Sequence, residues 1–369
     1  MIKILFFIEN LSEGGAEKVM CELVNHMDQS KFDITVQTVW PCDAKKYLAP
    51  GIRYKSMYST ESKANHLRYR AEAESGLAYR LHVKDDYDIE CAYLEMGPTK
   101  VMASSTNKKA KKLAWVHCDL SKKLEDLDAF VAKAGLQYRK YDEVICVSEN
   151  VRESFERLFG SSIPTRVLYN VVDDIAIREK AQAELPVGLQ KRSLTMASLG
   201  RLTHQKGYDL LLQVQDHLIR DGMECDLWIA GEGEDRPSLE QFIVEHHLQD
   251  SVKLLGFQEN PYPFLQQADL LVCSSRYEGL STFVTEGLIL GKPIVTTDCT
   301  GMRELLGNSE FGLIVANDGE AFYQGLKRMI LDSKLRSIYA EKAEGRGRDF
   351  SAEELTKTTE EFFMKLAGK

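Results

Sequence analysis

The chain has 369 residues, 44% of them hydrophobic and 28% charged, an ordinary globular balance with room for two α/β domains. Its net charge of −9 is uneven, with 27 basic against 28 acidic residues in 1–185 and 20 against 28 in the remainder, so nucleic acid is not an expected partner. No apolar run reaches the roughly 18 residues of a membrane span, and eight scattered cysteines without a Cys-x-x-Cys pair predict free thiols in a reducing compartment rather than disulfides or zinc.

The first nine residues are too short, and too acidic afterwards, for a secretory signal, and 2–8 reads as a buried strand. Further strands are expected at 34–40, 89–94, 113–117, 144–147 and 167–169, with helices between them such as 16–27, 99–104 and 150–159. Asn170-Val171-Val172-Asp173, a polar helix and Pro186-Val187-Gly188 mark a boundary, after which strands recur at 194–199, 227–230, 252–255, 270–273, 293–296 and 313–315. Such alternation predicts an α/β protein with two Rossmann-like, doubly wound parallel sheets, domains 1–170 and 171–350. Ser351, three before Glu354, opens the last helix as a capping box.

The organising stretch is residues 276–287, which joins the strand at 270–273 to a helix predicted over 281–290. Its turn leaves the carboxyl end of a parallel strand, where open α/β sheets bind ligands, and the N–H groups of Leu280, Ser281 and Thr282 suit a phosphate. Glu278 and Glu286 flank that anion site roughly 8–12 Å apart at about 1.5 Å per helical residue, the length of a nucleotide diphosphate. A retaining glycosidase pair would be closer, about 5–5.5 Å. The plain alternative is a solvated helix face.

Three further patterns end strands. In Ser12-Glu13-Gly14-Gly15-Ala16-Glu17, paired glycines allow positive φ and close ligand approach, or simply a tight turn. In Trp115-Val116-His117-Cys118-Asp119, His117 is either a cleft-edge group or a hydrogen-bonded structural histidine, and three adjacent residues cannot all aim at one metal ion. In Gly200-Arg201 through Lys206-Gly207, both cations can reach the carboxyl end of one sheet, Arg201 as a bidentate phosphate ligand and Lys206 as a point charge. Gly287 to Lys292 is one residue short of a Walker loop, Gly231-Glu232-Gly233 lacks the third glycine of a nicotinamide site, and Asp126-Leu127-Asp128 reads as a solvated imitation of a metal-binding pair.

Glu278, seven residues, Glu286, then Gly291-Lys292-Pro293-Ile294-Val295 resembles the signature of retaining glycosyltransferases of the GT-B fold, family 4-like, group 1. The Gly200-Arg201 and Lys206-Gly207 pattern is the most specific local match, and 12–17, 115–119, Ser148-Glu149-Asn150 and Asn170 add weaker support. The resemblance implies two domains facing a cleft, the first for an acceptor and the second for a nucleotide-sugar donor, with helix 351–369 crossing back to the first. It implies Glu278 and Gly279 at the donor sugar, Glu286 at the ribose, Arg201 and Lys206 at the diphosphate with Gly14 and Gly15 opposite, His117 near the breaking bond, and base recognition near Gly256-Phe257. No metal or other cofactor is expected. Gly287 stands where the family usually has Ala, and Gly279-Leu280-Ser281 replaces Gly-Phe-Gly, leaving donor identity open.

The expectation is a retaining glycosyltransferase moving a hexosyl or N-acetylhexosaminyl group from a UDP-linked donor to a glycan or lipid-linked acceptor in surface polysaccharide assembly. Alternatives are a nucleotide-sugar epimerase of the same fold and a non-catalytic sugar-nucleotide-binding scaffold. The location implied is cytoplasmic. Lys108, Lys109, Lys111, Lys112, Lys122 and Lys123, with Arg68, Arg70 and Arg80 around Leu67, Tyr69, Leu77 and Tyr79, suggest a peripheral contact with an anionic membrane, or else solvated helix faces.

Overall fold

The computed structural model describes all residues except Ser12, Glu13, Leu124, Glu125, Asp126, Pro186, Val187, Gly188 and Lys369, and only the backbone at Lys45 and Lys123. Parts of the patterns at 12–17, 122–128 and 186–188 therefore lie outside the described residues. The chain divides into two compact units, residues 1–171 with 352–369, and residues 172–351.

The first unit is built on seven strands, β1 (Ile2–Ile8), β2 (Phe32–Thr38), β3 (Arg53–Ser56), β4 (Ile89–Ala92), β5 (Lys111–Val116), β6 (Glu143–Cys146) and β7 (Thr165–Val167). They lie in the order β3-β2-β1-β4-β5-β6-β7, every pair parallel. Ile4, Leu5, Phe6, Phe7 and Ile8 are all fully buried, the near-continuous apolar run of a strand covered on both faces. β3 was not expected from the sequence; it is an edge strand whose residues are exposed or half-buried, so it carries no apolar run. Helix Ala352–Leu366 completes this unit. Its Phe363 packs edge-on against Phe6 and Phe32 at 6.1 and 6.3 Å, and the Asp28 N–H donates to Glu360 at 2.6 Å.

The second unit holds β8 (Leu194–Leu199), β9 (Cys225–Ala230), β10 (Val252–Gly256), β11 (Leu270–Cys273), β12 (Ile294–Thr297) and β13 (Leu313–Val315). Their order is β10-β9-β8-β11-β12-β13, again all parallel. Each sheet is thus a doubly wound Rossmann-like sheet whose winding reverses beside its first strand, between β1 and β4 and between β8 and β11. Loops leaving the carboxyl ends of such a strand pair diverge and leave a crevice.

Helix Thr282–Ile289 lies close on this second sheet. A Cβ on Gly287 would stand 2.8 Å from the Leu271 Cδ1 and 3.1 Å from the Ile294 Cδ1, which accounts for glycine where the resemblance leads one to expect alanine. None of the eight cysteines is in a disulfide. Among the described residues no helix is long and apolar enough to cross a membrane.

Candidate functional site

The loops after β8 and β11 are laced together. After Gly200 the chain runs through the single turn His204–Lys206 to Gly207, whose φ of +65° is left-handed. A Cβ there would lie 2.2 Å from the Ser274 carbonyl oxygen, so both conformation and space require glycine. The Ser274 hydroxyl donates to the Lys206 carbonyl at 2.8 Å, the Arg276 N–H to the Gln205 carbonyl at 2.8 Å, and the Gln205 amide to the Tyr277 carbonyl at 3.0 Å. The Arg276 guanidinium takes both Asp209 oxygens at 2.8 and 2.7 Å and the His204 carbonyl at 2.7 Å. Two patterns some seventy positions apart in sequence therefore form one surface at the reversal point of the sheet.

On that surface the Lys206 ammonium meets Glu278 Oε1 at 2.6 Å, and the Ser275 hydroxyl donates to the same oxygen at 2.6 Å. The Thr297 hydroxyl in turn donates to the Ser275 carbonyl at 2.5 Å. The Glu278 side chain is 8% exposed and that of Lys206 21%. Burial alone would pull the lysine pKa down, but the Glu278 carboxylate outweighs it and the pKa is raised, so Lys206 is charged throughout the neutral range. Gly200 makes room for this lysine; a Cβ would stand 3.4 Å from its Cε and 3.1 Å from the Tyr208 hydroxyl. Arg201 is exposed and makes no ion pair among the described residues.

The two predicted acids have separate surroundings. Glu286 is buried, and the Tyr262 hydroxyl donates to its Oε1 at 3.2 Å. Ser281 caps helix Thr282–Ile289, its hydroxyl accepting the Val284 N–H at 3.4 Å. The first N–H groups of that helix have no partner inside it and carry the positive end of its dipole. Leu280 is buried beside Gly279, while Phe257, after the left-handed Gly256, is 75% exposed.

In the first unit the expected glycine turn differs from expectation. Gly14 caps helix Gly15–His26 with φ −159°, ordinary extended backbone, and Gly15 is already helical, so neither uses positive φ. The chain enters the helix directly, and glycine's wider freedom goes unused there. His117 directly follows β5, its ring 4.9 Å from that of Tyr93. Its backbone N–H donates to Glu95, as does that of Cys118 at 3.2 Å. Asp119 anchors the next turn, accepting the Ser121 N–H at 3.0 Å and the hydroxyls of Ser121 and Ser154 at 2.6 and 2.5 Å.

Residues 13–174 match the family model Glycosyltransferase Family 4, and residues 181–346 match Glycosyl transferases group 1. The chain is a group 1 glycosyltransferase. It is 29% identical over 360 residues, 95% of this chain and 96% of the relative, to the N-acetylgalactosamine-N,N'-diacetylbacillosaminyl-diphospho-undecaprenol 4-alpha-N-acetylgalactosaminyltransferase of Campylobacter jejuni. It is 22% identical to the amylovoran biosynthesis glycosyltransferase AmsD of Erwinia amylovora, across 97% of this chain and 98% of that one. Among solved structures, Anabaena HepE in complex with UDP and glucose superposes with a TM-score of 0.79, covering 99% of this chain and 100% of that chain. At 17% identity that likeness speaks to the fold.

Several residues of this glycosyltransferase that shape the loops escaped the sequence reading. Gly231-Glu232-Gly233, set aside as a nicotinamide site, braces the Arg201 loop: the Leu202 N–H donates to the Glu232 carbonyl at 2.9 Å, and the Asp235 N–H to the Leu202 carbonyl at 2.9 Å. A Cβ on Gly231 would fall 2.0 Å from the Gly200 carbonyl oxygen, and one on Gly233 2.3 Å from that of Leu202. Gly301, also left-handed, backs onto the Gly279 carbonyl, 2.2 Å from where its Cβ would be. A glycine just after a strand was the available signal at 231. The basic clusters are partly neutralised, since Arg68 pairs with Glu72 at 2.6 Å and Lys111 with Asp142 at 3.3 Å. Leu67, Leu77, Arg70 and Arg80 are exposed, but Tyr69 and Tyr79 turn inward and do not belong to that face.

Proposed function

We propose that this glycosyltransferase is retaining and moves a hexosyl or N-acetylhexosaminyl group from a UDP-linked donor to a glycan or lipid-linked acceptor in surface polysaccharide assembly. The observation that carries the reading is the Lys206–Glu278 pair at the β8/β11 reversal point, just ahead of helix Thr282–Ile289. The relatives support the substrate classes: UDP and glucose for HepE, a diphospho-undecaprenol-linked saccharide for the Campylobacter enzyme, amylovoran for AmsD.

As the anomeric bond to the diphosphate breaks, negative charge gathers on the departing phosphate and oxocarbenium character on the sugar. Lys206, Arg201 and the helix N–H groups are assigned to the first charge, without a metal. Glu278, sharing Lys206 with the diphosphate, accepts a sugar hydroxyl and orients the donor, and Glu286 holds the ribose. The acceptor hydroxyl attacks on the face the diphosphate leaves and passes its proton to a phosphate oxygen, so no protein nucleophile is needed. From the first unit, His117 is assigned to the bond being broken and Gly14 and Gly15 to the donor diphosphate, and Leu67, Leu77, Arg70 and Arg80 to a peripheral contact with an anionic membrane.

A thermal-shift screen of UDP, GDP and ADP, then release of nucleotide from the matching sugars with and without EDTA, tests the donor, and the anomeric configuration of the product by NMR tests retention. No stabilisation by UDP and no turnover of any UDP-sugar would sink the assignment. Inversion at the anomeric carbon would sink the mechanism alone. Failure to sediment with anionic liposomes at low salt would remove the membrane contact.

A further inference from the structure

The turn that follows β4 carries two costs at once. Glu95 is 2% exposed, and among the described residues the donors that meet its Oε1 are the backbone N–H groups of His117 and Cys118 and, at 3.7 Å, the Cys118 thiol, none of them a cation. Taking a carboxylate out of water without a counter-charge costs several kcal/mol. The next residue, Met96, sits at φ 66°, ψ −105°, a conformation side chains other than glycine avoid at about 1–3 kcal/mol. A glycine at 96 would remove the second cost, and an apolar residue at 95 the first, though it would take this acceptor from the His117 and Cys118 N–H groups. Unfavourable local choices that a fold retains mark positions where geometry is held for a task.

The two costs secure the start of the loop that follows β5. β4 and β5 are neighbours in register, Ala92 beside Ala114, so residues just past their carboxyl ends lie side by side. Glu95 reaches across that gap and ties down the two peptide groups from which the His117 side chain departs. The imidazole is held from the other side by the Tyr93 ring at 4.9 Å, itself stacked on Trp115 at 4.9 Å. The strained Met96 lets the chain turn into helix Gly97–Met102 while Glu95 still points back at β5.

We propose that Glu95 is a positioning residue: its carboxylate fixes the His117 backbone, and with it the direction in which the imidazole leaves β5. This rests on the reading that His117 lines the transfer site. The test is a double-mutant cycle on the full chain, with the UDP-sugar that turns over fastest in the screen above. Glu95→Ala is expected to lower kcat about 10- to 100-fold with donor KM changed less than about threefold. Glu95→Gln, whose side-chain oxygen can still accept both N–H groups, recovers at least about a third of the rate. In a His117→Ala background the Glu95→Ala loss shrinks to less than about threefold, because nothing is left to position.

If Glu95→Ala does not fold, Glu95→Asp replaces it in the same cycle; it keeps the charge but shortens the reach, and its loss should likewise vanish with His117 removed. A full additional loss in the His117→Ala background overturns the positioning role while leaving His117 in the site. Undiminished activity of His117→Ala alone overturns the reading of His117 and the proposal with it.

Discussion

Replacing Gly207 by alanine measures how tightly the two site loops are joined. Left-handed backbone costs an alanine about 1–2 kcal/mol. Gly222, φ +77°, bears the same conformational cost but has nothing within 4 Å of an added Cβ, so Gly222→Ala isolates that contribution. At Gly207 the added Cβ would fall 2.2 Å from the Ser274 carbonyl oxygen, more than an ångström inside ordinary contact, and the obstacle is backbone rather than a side chain that can swing away. The loops must separate there. The hydrogen bonds from the Ser274 hydroxyl to the Lys206 carbonyl and from the Arg276 N–H to the Gln205 carbonyl, both 2.8 Å, are the first to go. At about 1 kcal/mol each they bring the total to about 3–4 kcal/mol, against about 1–2 for Gly222→Ala. For a unit the size of residues 172–351 this is a fall in Tm of roughly 10 °C against roughly 4 °C. Differential scanning calorimetry of both variants in one buffer gives the comparison. Equal shifts would mean that the Gly207 turn does not press on Ser274, and the single-surface account of the site would be wrong.

Lys206→Met should destabilise by about 2 kcal/mol, below the usual cost of halving a buried ion pair because Lys206 is partly exposed and Ser275 still serves Glu278. A lysine pKa raised by folding contributes stability fully below the unfolded value of about 10.4 and loses it only at higher pH, so urea melts of the two proteins should differ by a constant amount from pH 6 to 9. A gap that closes within that range would contradict the ion pair. Gly287→Ala should cost about 1–3 kcal/mol by overpacking against Leu271 and Ile294, with Leu271→Val recovering part of it in thermal melts; no loss would mean the helix has slack. Glu72 accepts from Tyr58, Arg68 and His82 at 2.7, 2.6 and 2.7 Å. Burial pushes its carboxyl up, but these donors prevail and hold it below the ordinary range. Its contribution is therefore present above about pH 4.3 and lost as pH falls through the folded value. Glu72→Gln should cost about 2 kcal/mol at pH 7 and progressively less in acid, and a gap that widens in acid would contradict this.

What could be read from the sequence follows from how loudly each residue's surroundings speak. β8, β11 and β13 were expected over the residues they occupy, because short apolar runs bounded by turn residues leave little choice. β3 was missed because Arg53-Tyr54-Lys55-Ser56 at a sheet edge needs no apolar run. Lys206 and Glu278 could be expected near one another, since both patterns end neighbouring parallel strands. Their direct contact, and the service of Ser275 and Thr297, depend on side-chain reach that no spacing encodes. Gly14 and Gly15 misled for the opposite reason: glycine permits positive φ without requiring it, and only a close neighbour such as Ser274 at Gly207 turns permission into need. Glu95 was invisible because a lone acid after a strand belongs to no pattern.

Helix Ala352–Leu366 bears on how the protein is made. Phe363 fills a place among Phe6, Phe32 and Trp115, residues that leave the ribosome hundreds of positions earlier. The first unit therefore waits, with a greasy slot open along its sheet, until residues 352–366 have been made, whereas residues 172–351 have all their own partners before that moment. Synthesis order and completion order are reversed, and a nascent chain stalled before position 352 presents chaperones with a finished second half tethered to an unfinished first.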